Sequence, residues 1–274
     1  PIPIRFGLVG PNGGDVAPTR VDGATVRDDV LILEEAHQEV VFEGLSARPI
    51  PSLLRGFSAP VRLSTNLDPA EHAFLAAHDA DPFNRWQAIQ GLAMRGLIEA
   101  TTAIRRGSEP DFDPRIVEAL LATARADDLD PDFRALAVGL PTEADVAREI
   151  AVDVDPDAIF TARERLRGAV ARDGRAIFAD LLERFAPQGA YAPDAVSAGR
   201  RSLRGAALEM LARAGETGLV AETYERADNM TDRLTALSIA VGGGLAVADA
   251  LLADFHDRFA DDPLVIDKWL MVQA

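Results

Sequence analysis

The chain has 274 residues, with 44 acids against 28 bases and a formal net charge of −16. That balance repels a phosphate backbone and an anionic lipid surface, so nucleic-acid binding and membrane docking are disfavoured. There is no Cys, which removes disulfides, thiolate nucleophiles and Cys-bound zinc together and fits a cytoplasmic location. No apolar run approaches the ~20 residues of a membrane span, and Pro1–Gly10 lacks the form of a secretory signal. The acids are spread along the chain as solvated helix faces and form no tail.

Residues 1–66 read as short strands with turns between. Ile2, Ile4, Phe6 and Leu8 alternate with polar or small residues, the period of a half-buried strand. Asn12-Gly13 is a hairpin signal. Val30–Leu33 and Gln38–Glu43 are short apolar strands, and Pro49–Phe57 and Pro60–Leu63 are two further candidates. Pro49, Pro51 and Pro60 confine that last part to an edge or an irregular strand. The expectation is a small β-sandwich, incomplete at its start because the first strand has no lead-in.

From residue 67 the texture becomes helical. Asp-Pro occurs six times, at Asp68, Asp81, Asp113, Asp130, Asp155 and Asp262. Each fits a helix start: the carboxylate accepts from free N–H groups of the first turn, and Pro at the first helical position has no N–H to leave unpaired. Asp68 with Glu71 makes a capping box, and Thr142 begins a looser version. Phe83, Trp86, Ile89, Ala93, Leu97, Ala100 and Ile104 form one apolar stripe. Further helices are expected at about 114–126, 132–139, 142–151, 157–186 with a break near Gly174, 194–214, 218–227, 230–241, 246–260 and 263–273. Short loops make consecutive helices antiparallel neighbours. The fold class is therefore mainly α with a small all-β N-terminal part: a partial β-sandwich, 1–66, then an α-solenoid of armadillo or HEAT style, 67–274. The last helix is too apolar for a solenoid cap, so the solenoid is expected to be truncated.

Chemistry is sparse. His37, His72, His78 and His256 make no HExxH, and no two lie four apart on a helix, so they read as surface or packing residues. Ser52 and Ser58 stand beside Pro and Gly without a nucleophile elbow, and read as turn-forming or hydrogen-bonding. Gly242-Gly243-Gly244 lacks the Lys-Ser/Thr of a phosphate loop and reads as a helix end. Asp228–Arg233 is polar enough to line a ligand channel, but Asn229 or Thr231 as helix cap, with Asp232 in the first turn, is the plainer explanation. Asp79 with Asp81 and Asp127 with Asp128 have no calcium-loop spacing. Arg85-Trp86 has the form of a carboxylate-pairing and stacking pair, but Trp86 stands on the apolar stripe, where core packing is the plainer role. From the residues alone, no catalytic, cofactor-binding or metal-binding residue is assigned.

Four stretches carry a resemblance. Pro49–Leu63 (PIPSLLRGFSAPVRL), His78–Gln90 (HDADPFNRWQAIQ), Asp228–Ser238 (DNMTDRLTALS) and Asp262–Ala274 (DPLVIDKWLMVQA) closely resemble, in this order, the C-terminal half of bacterial aminopeptidase N, a gluzincin-type zinc exopeptidase. The resemblance is weakest over about Arg106–Arg200. It implies most of a β-sandwich domain and the first part of a superhelical domain that covers the active-site cleft. It implies zinc in the parent enzyme and none in this chain, because the HExxH, the Gly-x-Met-Glu-Asn motif and the catalytic Tyr of the family have no counterpart here. The chain alone is then not an enzyme. Its implied partners are the catalytic domain of the same polypeptide and the parent's peptide substrates, with neither nucleic acid nor membrane. A truncated piece is also expected to expose an apolar edge at residues 1–10 and an apolar end at Leu264–Val272, open to self-association. The alternatives are a free-standing solenoid that binds proteins or peptides, and an inactive homologue.

Overall fold

In the computed structural model, which describes residues 1–274, the alternating Ile2, Ile4, Phe6 and Leu8 form strand β1 (Ile2–Val9). Five short strands follow: β2 (Arg20–Asp22), β3 (Thr25–Arg27), β4 (Val30–Leu33), β5 (Val41–Glu43) and β6 (Ile50–Leu53). β1 divides its hydrogen bonding. Residues Ile2–Arg5 pair antiparallel with β4, and residues Phe6–Val9 pair antiparallel with β6. β3 extends the β4 side, giving the order β3-β4-β1-β6, while β2 and β5 form a second, two-stranded sheet. Phe6 of the first sheet meets Phe42 of the second with ring centroids 5.3 Å apart, and Ile4, Leu8, Leu31 and Leu54 fill the space around them. This is a small sandwich, its core made by two inner faces.

β2 and β3 were not marked by the sequence pattern, because three-residue strands are too short to show a period. Around Asn12-Gly13 the chain does reverse. Gly10 N donates to Gly14 O and Val16 N to Leu8 O, both at 2.8 Å, with Gly13 at φ +83°. Pro51 lies in β6, at the edge of its sheet, where Pro is tolerated. Pro60–Leu63, expected as a strand, is not one. Val61 N turns back to Ala59 O at 2.9 Å, and Pro60 has no N–H to give to a ladder.

All six Asp-Pro dipeptides begin helices with Pro at the first helical position: α1 (Pro69–His78), α2 (Pro82–Arg105), α3 (Pro114–Arg125), α4 (Pro131–Val138), α6 (Pro156–Asp173) and α12 (Pro263–Gln273). Asp68 and Glu71 form the capping box, and Thr142 with Asp145 forms another at α5 (Glu143–Ile150). The remaining helices are α7 (Arg175–Arg184), α8 (Ala195–Arg213), α9 (Gly218–Arg226), α10 (Met230–Gly242) and α11 (Ala248–Phe259), with α6 and α7 separated at Gly174. No helix is long and apolar enough to cross a membrane.

The chain forms two compact units, one of residues 1–122 with 140–159, the other of 123–139 with 160–274. In the first, Ile89, Ala93, Leu97 and Ala100 bury the expected stripe of α2, while Phe83, Trp86 and Ile104 are only half-buried. In the second, α8 is the centre and packs on α4, α7, α9 and α10. Leu208, Val220, Tyr224, Leu237 and Phe255 form its largest described core, to which α12 adds Trp269, whose Nε1 donates to Leu252 O at 2.9 Å. The outer side of α12 leaves Leu264 76% exposed, with Leu270 and Met271 also in solvent.

Candidate functional site

Three arrangements concentrate polar chemistry. The first is in the unit that holds the sandwich. After β6 a 3₁₀ turn (Arg55–Phe57) forms, with Leu54, Gly56 and Phe57 at φ 62°, 61° and 54°. For Leu and Phe that is a strained conformation. The turn aims Arg55 across β1. Its Nε donates to Ser52 Oγ at 2.9 Å, Nη1 to Asp15 Oδ2 at 2.5 Å and Nη2 to Asp79 Oδ1 at 2.8 Å. Asn84, in the first turn of α2, donates from Nδ2 to Ser52 Oγ and Leu53 O, both at 2.8 Å. Asp79 is 1% exposed. Burial alone would lower the Arg55 pKa, but hydrogen bonding to Asp15 and the charge of both carboxylates raise it above its ordinary value. Gly7 makes room for the guanidinium: a Cβ there would stand 2.0 Å from Arg55 Cζ. A saturated cation between carboxylates holds elements together and offers no nucleophile.

The second arrangement is a groove of about 1200 Å³ along α6, α8 and α10. Gly168, Ser202, Gly205, Thr235 and Ser238 line it; a Cβ at Gly168 would meet nothing within 4 Å, whereas one at Gly205 would stand 3.0 Å from Thr235 Cγ2, so α8 and α10 approach closely there. Its charged wall is a closed circuit. Glu164 pairs with Arg213 and, at 3.3 Å, with Arg167; Glu209 lies 3.4 Å from Arg213 and 3.8 Å from Arg167. The groove offers hydrogen-bonding groups to an extended chain.

The third follows Asp228–Arg233. Asn229 caps α10, its Oδ1 accepting from Asp232 N at 3.0 Å, while its Nδ2 donates to Asp228 Oδ1 and Asp232 Oδ2. Asp232 is 9% exposed. Arg233 lies over the Tyr224 ring at 5.8 Å and donates to Ala227 O. Tyr224 OH donates to Asp254 Oδ2 at 2.8 Å, and Arg258 Nε donates to the same oxygen at 2.5 Å. Burial, then the bond to Asp254, pushes the Tyr224 phenol up. The Arg258 guanidinium, then the phenol, holds the Asp254 carboxyl below the usual range.

The other sequence candidates are dispersed. His37 is exposed in the loop before β5; His72 Nδ1 is 3.0 Å from Asp68 O; His78 meets Phe74 at 4.5 Å and His256 meets Trp269 at 5.1 Å between ring centroids, both with tilted rings. No three His, Asp or Glu side chains converge as a metal site. Ser58 Oγ accepts from Arg5 N at 2.8 Å. Gly244 at φ +59° ends α10, with Leu245 N bonded to Ala240 O, a Schellman closure. Asp81 accepts from Asn84 N as the cap of α2 and also from Gly56 N. Asp127 pairs with Arg134 and Arg184. Trp86 packs near Phe83, centroids 5.5 Å apart. The sequence did not single out Arg55. In LLRGF it looks like a surface turn residue, and its two partners lie 40 and 24 positions away.

Residues 1–66 match the family described as "Domain of unknown function (DUF3458) Ig-like fold", and residues 69–274 match "Domain of unknown function (DUF3458_C) ARM repeats". Over 263 residues the chain is 36% identical to Aminopeptidase N of Caulobacter vibrioides, covering 92% of this chain and 29% of that protein. It is 32% identical over 281 residues to Aminopeptidase N of Escherichia coli, covering 100% of this chain and 32% of that protein. Among solved structures, the crystal structure of Legionella pneumophila aminopeptidase A in complex with aspartic acid superposes with a TM-score of 0.81 at 25% identity, over 99% of this chain and 32% of that one. The chain spans about a third of the length of the proteins it matches.

Proposed function

This chain belongs to the C-terminal region of the aminopeptidase N family, as an Ig-like domain followed by ARM repeats, and on that premise we propose that it supports a catalytic domain and restricts access to its active site. The whole enzyme would remove N-terminal residues from peptides. The observation that carries this reading is the asymmetry of coverage: the relatives align over 92% and 100% of this chain but over only 29% and 32% of their own lengths. The α6–α8–α10 groove supports the gating role, since its small-residue floor and polar rim suit an extended peptide. Asp228–Arg233 and Asp262–Gln273 would contribute to the surface that faces the cleft. The zinc implied for the whole enzyme finds no donor set among these residues, so no step of the reaction is assigned to them.

The purified 274-residue chain is expected neither to release an aminoacyl chromophore nor to retain stoichiometric zinc, while a protein extended upstream in the same reading frame to an encoded HExxH does both. Turnover by the isolated chain that survives repurification would count against the reading. A start codon directly before Pro1 would favour the second reading, a free-standing scaffold that uses the same groove to bind peptides.

A further inference from the structure

Where the loop between α7 and α8 meets the middle of α8 and the start of α10, a cavity of about 250 Å³ remains. α8 brings Arg200, Arg201 and Arg204 to it; the α9–α10 junction brings Asp228 and Asp232. These five charges do not neutralise one another, for no carboxylate lies within 4 Å of any of the three guanidiniums in a protein whose acids outnumber its bases 44 to 28. Arg200 and Arg201 each donate one bond to a backbone carbonyl, of Arg184 and Ala192, and Arg201 stacks on Tyr191 at 4.5 Å. Arg204 makes no hydrogen bond to the protein, and its Nε and that of Arg201 are buried without a partner. On the acidic side Asn229 is the bonded partner of both Asp228 and Asp232.

Asp228 is exposed, but Asp232 is buried and the three guanidiniums are half-buried, and charges withdrawn from water are costly unless a counter-charge completes them. Guanidiniums present a fork that fits a carboxylate, and carboxylates fit an ammonium group. A cavity with both, and with a volume just under the ~300 Å³ at which small-molecule pockets begin, selects a small zwitterion over a peptide. We propose that this cavity binds a free α-amino acid, its carboxylate on Arg204 and Arg201 and its ammonium group on Asp228 and Asp232. A free amino acid is also what the whole enzyme would release, so the site would sense product; that role rests on the aminopeptidase reading, whereas the binding does not.

Isothermal titration of the 274-residue chain with glycine, aspartate, acetate and methylamine tests it. Glycine and aspartate are expected to bind saturably, with acetate and methylamine at least tenfold weaker, because each presents one charge only. Arg204→Met and the exposed Asp228→Asn should each weaken glycine at least tenfold, with far-UV circular dichroism and thermal midpoints showing that each variant is folded. Should Arg204→Met fail to fold, Asp228→Asn decides alone. The proposal is overturned by absent saturation at millimolar glycine and aspartate, by acetate binding as tightly as glycine, or by folded variants that bind like the parent. None of these outcomes bears on whether an HExxH is encoded upstream, so the two readings fail separately.

Discussion

Arg55 Nη2 reaches Asp79 Oδ1 across 2.8 Å, and the two side chains are 11% and 0% exposed. Neither charge can turn to water if the other is removed, so the pair holds the turn after β6 to the end of α1 through the penalty for breaking it. Buried pairs cost more to break than they contribute to net stability.

Arg55→Met is therefore expected to destabilise by about 3 kcal/mol or more, since it leaves Asp79 buried and unpaired. Arg55→Met with Asp79→Leu should recover much of that loss. Urea unfolding of the three proteins checks it; a double variant no better than Arg55→Met would place the loss in packing instead.

Gly7→Ala is expected to cost about 1–3 kcal/mol by overpacking, because its methyl would meet Arg55 Cζ at 2.0 Å. In the Arg55→Met background the flexible thioether can move aside, and the cost should shrink. A double-mutant cycle measures the coupling, and strictly additive effects would show that the clash lies elsewhere.

The six Asp-Pro starts are not equal. Asp81 accepts from Asn84 N and from Gly56 N, whereas Asp130 makes no side-chain cap bond. Asp81→Ala should cost about 1 kcal/mol or more, and Asp130→Ala distinctly less, in the same denaturation assay.

The Tyr224–Asp254 pair sets limits at both ends of the pH scale. The Asp254 pKa is depressed in the folded state, so its contribution is present above the ordinary carboxylate value of 3.8 and is lost as pH falls through the folded value. The Tyr224 pKa is raised, so its contribution is present below the ordinary phenol value of 10.0 and is lost as pH rises through the folded value. Asp254→Asn is expected to flatten the acid limb of stability against pH, and Tyr224→Phe the alkaline limb, as followed by thermal midpoints across pH.

Helix starts are legible in this sequence because capping is local. An Asp, the Pro after it and the free amides of the next turn are all within three or four residues, and six of six such starts lie where the dipeptide stands. β1 is legible because Ile2, Ile4, Phe6 and Leu8 recur at every second position. β2 and β3 are not, since three residues show no period and what fixes them is pairing with β5 and β4. The same limit hides both polar clusters. Asp79 reads as one of a pair of loop acids until Arg55 is placed against it, and Arg200, Arg201 and Arg204 read as a solvated helix face until Asp228 and Asp232 arrive from another element.

β1 gives Ile2–Arg5 to β4 on one side and Phe6–Val9 to β6 on the other. Neither neighbour can be released without exposing half of β1's backbone to water, and Leu31 of β4 and Leu53 of β6 pack in the same core as Phe6 and Phe42. The sheet should therefore open all at once. The β1 amides that bond to β4 and β6 (Pro3 carries none) are expected to exchange with deuterium at one common rate, with no strand fraying first.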